Sequence, residues 1–110
     1  MYKKILATVN EHLNSEISAK YALHLAKICD AKFYVCFVAV KGSAETNLEK
    51  ATEAMKRLFT EAEKQDIISE SITLSGDPVV ELNKLVKHEE VDIVFTSTRR
   101  EDIKKRFFTG

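Results

Sequence analysis

Ala31–Val40, AKFYVCFVAV, decides the fold. From Phe33 onward it is apolar at both odd and even positions. A strand with one wet face alternates apolar and polar residues. One that does not is covered on both faces, as in the interior of a parallel sheet. Lys3–Val9 (KKILATV) is a second short apolar run with β-branched residues and predicts another buried strand. Ile68–Leu74 differs: Ile68, Ile72 and Leu74 share one parity, and Ser69, Ser71 and Thr73 the other. That alternation predicts an edge strand. Val91–Phe95 (VDIVF) is a fourth strand.

Helical periodicity fills the gaps. Ala19, Ala22, Leu23 and Ala26 make a narrow small-residue face after a cap at Asn14 or Ser15. Leu48, Ala51, Met55, Leu58 and Ala62 mark one side of a long amphipathic helix that follows the loop 41–46. Gly76-Asp77-Pro78 starts a third helix, with Asp77 as N-cap, Pro78 at the first helical position, and Val79, Leu82, Leu85 and Val86 facing inward. After the fourth strand, Ile103, Phe107 and Phe108 fall on one side of a further helix. The order β-α-β-α-β-α-β predicts an α/β domain: an open parallel sheet with right-handed crossovers and helices on both faces.

A chain of 110 residues suits a single domain. Seventeen basic and seventeen acidic residues cancel, which leaves no overall footprint for nucleic acid or an anionic membrane. No apolar run approaches the ~20 residues of a membrane span, and no signal-peptide core is present. Cys29 and Cys36, with no secretory signal, predict free, inert thiols in the cytoplasm. His12, His24 and His88 have no metal-ligand spacing. No nucleophile elbow, Walker loop or carboxylate pair supports a catalytic group.

In such sheets ligands sit at the carboxyl ends of the strands, where the strand order reverses. The candidate loops are therefore Val9–Asn14 and Thr96–Arg100. The second carries Ser97, Thr98, Arg99 and Arg100 into a helix N-terminus, where free N–H groups and the helix dipole favour an anion. Arg99, Arg100, Lys104, Lys105 and Arg106 form a local basic cluster, read first as a solvated helix face. Gly76 is a further candidate for close backbone approach to a ligand, and reads first as part of a turn.

With these loops placed, the chain resembles the universal stress protein family over essentially its whole length. The resemblance rests on ILATVNEHLNSEISAKYALHLAK, FYVCFVAV, SGDPVVELNKLVKHEEVDIV and the final STRR…FFTG. It implies a Rossmann-like fold of the adenine-nucleotide alpha hydrolase type, with strand order 3-2-1-4 and a fifth strand beyond Gly110. The single domain of residues 1–110 is then expected to be incomplete at its C-terminal end. The resemblance also implies ATP or AMP as the family's ligand, held by G-x2-G-x9-G-[ST] after the fourth strand. Here those glycine positions are Ser97, Arg100 and Gly110. The family's acid after the first strand is Asn10, and its adenine contact falls on Val38 or a neighbour. Glycine allows positive φ and close backbone approach to phosphate, so Arg100 is the more serious loss. The expectation is a stress-response binding or regulatory module that is a poor nucleotide binder or none, with no resident cofactor and no metal. Its expected partner is a second copy or a tandem domain. The alternative is a genuine ATP or AMP binder that uses Ser97-Thr98 and the Arg99 and Arg100 side chains for the phosphates.

Overall fold

The computed structural model describes residues 2–10, 13–40, 42 and 44–96. Four strands, β1 (Lys4–Thr8), β2 (Lys32–Ala39), β3 (Ser69–Ser75) and β4 (Ile93–Phe95), alternate with α1 (Leu13–Cys29), α2 (Glu45–Lys64) and α3 (Pro78–Glu89). The strands form one parallel sheet in the order β3-β2-β1-β4. Ile5 sits opposite Phe33 on one side and Ile93 on the other, and Phe33 opposite Ser69. The order expected from the family resemblance and the parallel sheet expected from the sequence are both present, with β3 at an edge.

Strand order determines where the helices go. The crossovers β1→β2 and β2→β3 step in one direction along the sheet, and β3→β4 steps back. Right-handed connections then place α1 and α2 on one face and α3 on the other. Pleating sends Ile5, Ala7, Phe33, Val35 and Phe37 to the α1–α2 face, where they pack with Ala19, Ala22, Ala26, Ala51, Leu58 and Ala62. The alanines let the α1 backbone lie close to the sheet. Leu6, Tyr34 and Cys36 point the other way, beneath Leu82, Leu85 and Val86 of α3.

Local signals account for the helix boundaries. Asp77 caps α3 by accepting from the Val80 N–H at 3.0 Å, with Pro78 at the first helical position. Glu90 ends it in the left-handed region at φ 57°. Three details depart from expectation. Helix α1 begins at Leu13, so Asn14 and Ser15 lie inside its first turn and neither is the cap. Ile68 precedes β3 and is exposed, while its neighbour Ile67 enters the core. Two adjacent isoleucines fit either parity, and the pairing of Phe33 with Ser69 decides between them. Val79, in phase with Leu82 and Val86, is nevertheless 63% exposed. The helical period does not say where along its stripe a helix leaves the sheet.

Candidate functional site at the carboxyl ends of the strands

Strand β1 leads toward α1 through Val9 and Asn10, and both are pinned down. The Val9 N–H donates to the Cys36 carbonyl at 2.8 Å, extending the β1–β2 ladder past the strand, and Val9 is buried. The Asn10 N–H donates to Ser15 Oγ at 2.9 Å, and the Ser15 hydroxyl reaches back to the Asn10 carbonyl at 3.4 Å. Ser15 is buried. It therefore acts as a staple between the loop and the first turn of α1. The α1 N-terminus opens at this end of the sheet, with the positive end of its dipole toward the crevice.

The register of Ala7 with Phe95 brings the ends of β1 and β4 side by side. This is the place where the strand order reverses, so Val9, Asn10 and Thr96 share one end of the crevice. Val38 lies one strand further, near the end of β2 and opposite Leu74 of β3. It packs into the cluster under α3. Gly76 follows the edge strand β3. With strands spaced about 4.8 Å apart, it stands roughly 14 Å across the sheet from the end of β4. Its N–H donates to the Ala39 carbonyl at 3.2 Å, and its φ of 127° is one that side chains rarely adopt. A Cβ there would meet Glu81 Cγ at 3.2 Å. Gly76 makes the turn from β3 into α3. Ser97, Thr98, Arg99, Arg100 and Gly110 lie outside the described residues.

Cys36 is buried in the centre of the sheet, and burial pushes its thiol up to about 11. It stays protonated at neutral pH and is not a nucleophile. Among the described residues no group of three or more His, Cys, Asp or Glu side chains could hold a metal ion. No helix among them is long and apolar enough to cross a membrane.

One polar feature escaped sequence reasoning. Glu16 lies on the buried side of α1 and is clamped by Arg57 of α2 through two hydrogen bonds, Nε to Oε2 at 2.8 Å and Nη2 to Oε1 at 2.7 Å. The Arg57 hydrogen bonds hold the Glu16 carboxyl below the usual carboxylate range. The pair spans 41 residues, so no local pattern gives it away. The available signal is phase: Glu16 falls in register with Ala19, Leu23 and Ala26, where an acid needs a partner. Beside the pair, Lys20, Leu23 and His24 of α1 and Leu58, Glu61 and Lys64 of α2 line an open cleft of about 540 Å³. It lies between the helices, apart from the strand-end crevice.

Comparisons with known proteins agree with the architecture. The sequence profile of the universal stress protein family matches residues 1–110. A universal stress protein A homolog of Haemophilus influenzae is 33% identical, over 87% of this chain and 77% of its own. A universal stress protein family structure from Burkholderia pseudomallei superposes with a TM-score of 0.76 at 13% identity, covering 98% of this chain and 89% of that one. A family protein from Arabidopsis thaliana with AMP bound gives 0.68 at 14% identity, covering 89% and 77%. A universal stress protein in complex with cAMP gives 0.67 at 17% identity, covering 84% and 70%. At these identities the solved structures speak for the fold, while the profile and the Haemophilus relative speak for descent: the chain belongs to the universal stress protein family.

Proposed function

We propose that this chain is a non-catalytic binding or regulatory module of the cytoplasmic stress response that holds adenine nucleotides weakly or not at all. The observation that carries this reading is the loop after β1. The Asn10 backbone N–H, at the mouth of the crevice, is engaged by Ser15, and the residue itself is an amide where the family carries an acid. The sequence beyond Thr96 adds Arg100 where the family carries glycine, the residue that permits close backbone approach to phosphate. Val9, Asn10, Val38 and Thr96, with Ser97, Thr98, Arg99, Arg100 and Gly110, compose the candidate site; Gly76 belongs to it only as the turn that starts α3.

A second reading is supported by the solved relatives that carry AMP and cAMP. In it, the retained spacing from Ser97 to Gly110 still forms a phosphate loop, and Arg99 and Arg100 supply bidentate contacts in place of glycine amides. For partners, β4 stands at the end of the strand order, and among the described residues it pairs only with β1. A sheet edge of that kind favours pairing with a second copy or a tandem domain.

Calorimetric titration with ATP and AMP, with mass spectrometry of small molecules released from the purified protein, tests the main reading. The expected result is no co-purifying nucleotide and no binding in the micromolar range. Restoring the family residues with Asn10→Asp, Ser97→Gly and Arg100→Gly should then create measurable affinity. Micromolar binding by the unaltered chain, abolished by Arg99→Ala with Arg100→Ala, would replace this reading with the second.

A further inference from the structure

Helix α1 is apolar on two sides. Its core side is described above. Opposite it, Leu13, Ile17, Tyr21, His24 and Ile28 follow one another at spacings of three and four, and so form one stripe along the outer surface. Leu13 is 71% exposed, Tyr21 68%, Ile28 65% and Ile17 44%. The stripe runs the length of a helix about 25 Å long. Scattered surface leucines are ordinary, but a contiguous stripe with an aromatic at its centre marks an interaction surface.

Charge around the stripe narrows what can cover it. The only acid in α1 is Glu16, which is buried and neutralised by Arg57. Lys20 and Lys27, seven residues apart, form a row along the edge facing α2: Lys20 lines the cleft, and Lys27 Nζ donates one of its three hydrogens to the Gln65 carbonyl at 2.6 Å while keeping its charge. Lys64 of α2 adds to that positive edge across the cleft, where Arg57 is taken up by Glu16 and Glu61 accepts from Gln65 at 2.9 Å. The opposite edge, Asn14, Ser18 and Leu25, is uncharged. A second copy fits this poorly. Antiparallel pairing about a two-fold axis would set the lysine row against itself, and parallel pairing would set it against the uncharged edge. A flat anionic membrane would meet lysines on one edge only.

We propose that the outward face of α1 docks an amphipathic helix of another protein, one that lays an apolar face on Leu13, Ile17, Tyr21 and Ile28 and turns an acidic edge toward Lys20 and Lys27. This is helix-on-helix recognition with apolar anchors supplying affinity and the charged row fixing orientation. It is independent of whether the strand-end crevice holds a nucleotide.

The test uses the full 110-residue chain and a fluorescein-labelled synthetic helix with leucines on one face and glutamates along one edge. A matched peptide with lysines along that edge serves as control. Fluorescence anisotropy should show binding of the glutamate peptide that weakens as salt rises, and none of the lysine peptide. Tyr21→Glu, at an exposed position, should leave the circular dichroism spectrum unchanged and weaken binding about tenfold or more. Lys20→Glu, which leaves the Lys27–Gln65 bond in place, should abolish the preference for the glutamate peptide. Equal binding of both peptides, binding of neither, or unchanged binding by Tyr21→Glu would overturn the proposal. So would self-association abolished by Tyr21→Glu, which assigns the face to a second copy, or binding to phosphatidylserine vesicles without peptide binding.

Discussion

The two faces of the sheet are built to different depths. On the α1–α2 side sixteen of the described residues form one buried cluster, from Ile5 through Phe33 to Ile67. On the α3 side the buried set among the described residues is Leu6, Tyr34 and Cys36, and no residue of α3 itself is fully buried. The asymmetry follows from strand order. Two crossovers in one direction stack two helices on one face, where they can also pack on each other; among the described elements the reversed crossover supplies one helix to the other face. The thick face therefore carries stability, and the reversal that thins the other face falls between β1 and β4, where the proposed site lies.

Substitutions at Phe33 and Leu82 separate the two faces most strongly. Phe33 is fully buried on the thick side, so Phe33→Ala removes a ring and leaves a cavity, at a cost of about 3–5 kcal/mol. Leu82 is partly buried on the thin side, and Leu82→Ala should cost nearer 1–2 kcal/mol because its site is already open to water and can relax. Urea unfolding of both variants decides it. Equal losses would show that α3 bears as much of the core as α1 and α2.

The Glu16–Arg57 clamp sharpens the same contrast through pH. Hydrogen bonds from Arg57 depress the Glu16 carboxyl in the folded state. A depressed folded value contributes stability above the ordinary carboxylate range and loses it as pH falls through the folded value. The unaltered chain should therefore lose stability on the acid side of that range. Arg57→Ala should be less stable at neutral pH and show a flatter acid limb, since Glu16 would no longer gain a partner on folding. An unchanged limb would assign the acid sensitivity to other carboxylates.

Most of the fold was legible because strands and helices bury different periods. Phe33–Val40 reads as two-sided, and it lies inside the sheet; Ile72 and Leu74 alternate with Ser71 and Thr73, and β3 lies at the edge. Asp77-Pro78 announced its own cap. What periodicity could not supply was anything fixed by tertiary contact. The choice of Ile67 over Ile68 needed the partner strand, and the Glu16–Arg57 pair needed two helices brought together. The outer stripe of α1 was hidden because Leu13, Ile17, Tyr21 and Ile28 sit between the positions of Ala19, Ala22 and Ala26. Both faces of that helix are apolar, and helical period alone picks out the small-residue face that packs on the sheet, not the second one. The place of the proposed site, the ends of β1 and β4, is an expectation from topology. Its chemistry rests on Asn10 and on residues past Thr96.

The Asp77 cap is the next step down. Its carboxylate satisfies one of the N–H groups that the first turn of α3 leaves without an intrahelical partner. Asp77→Ala should cost about 1 kcal/mol, and Asp77→Asn much less, because the amide oxygen can accept the same bond. Since α3 is the only described helix on the thin face, its loosening should be visible locally: faster amide exchange in α3 with little change in α1 or α2.

The smallest effect lies where β4 meets β1. Asp92 sits just before β4 and accepts from two backbone N–H groups, Lys3 at 2.7 Å and Lys4 at 2.9 Å, while its own N–H donates to the Lys4 carbonyl at 2.9 Å. These bonds tie the start of the three-residue β4 to the start of β1. The two N–H donors also hold the Asp92 carboxyl below its ordinary value, so the tie is fully formed above the usual aspartate range and loosens as pH falls through the lowered value. Asp92 is exposed and water competes for the same donors, so Asp92→Asn should barely move the global unfolding midpoint. The short strand should respond instead. Amide exchange of Ile93–Phe95 should quicken in Asp92→Asn at neutral pH, and the unaltered protein should approach that behaviour in acid, while Phe33–Phe37 in β2 keep their protection. If all of these amides quicken together, β4 unfolds with the core rather than ahead of it, and the crevice beside it is as rigid as the thick face.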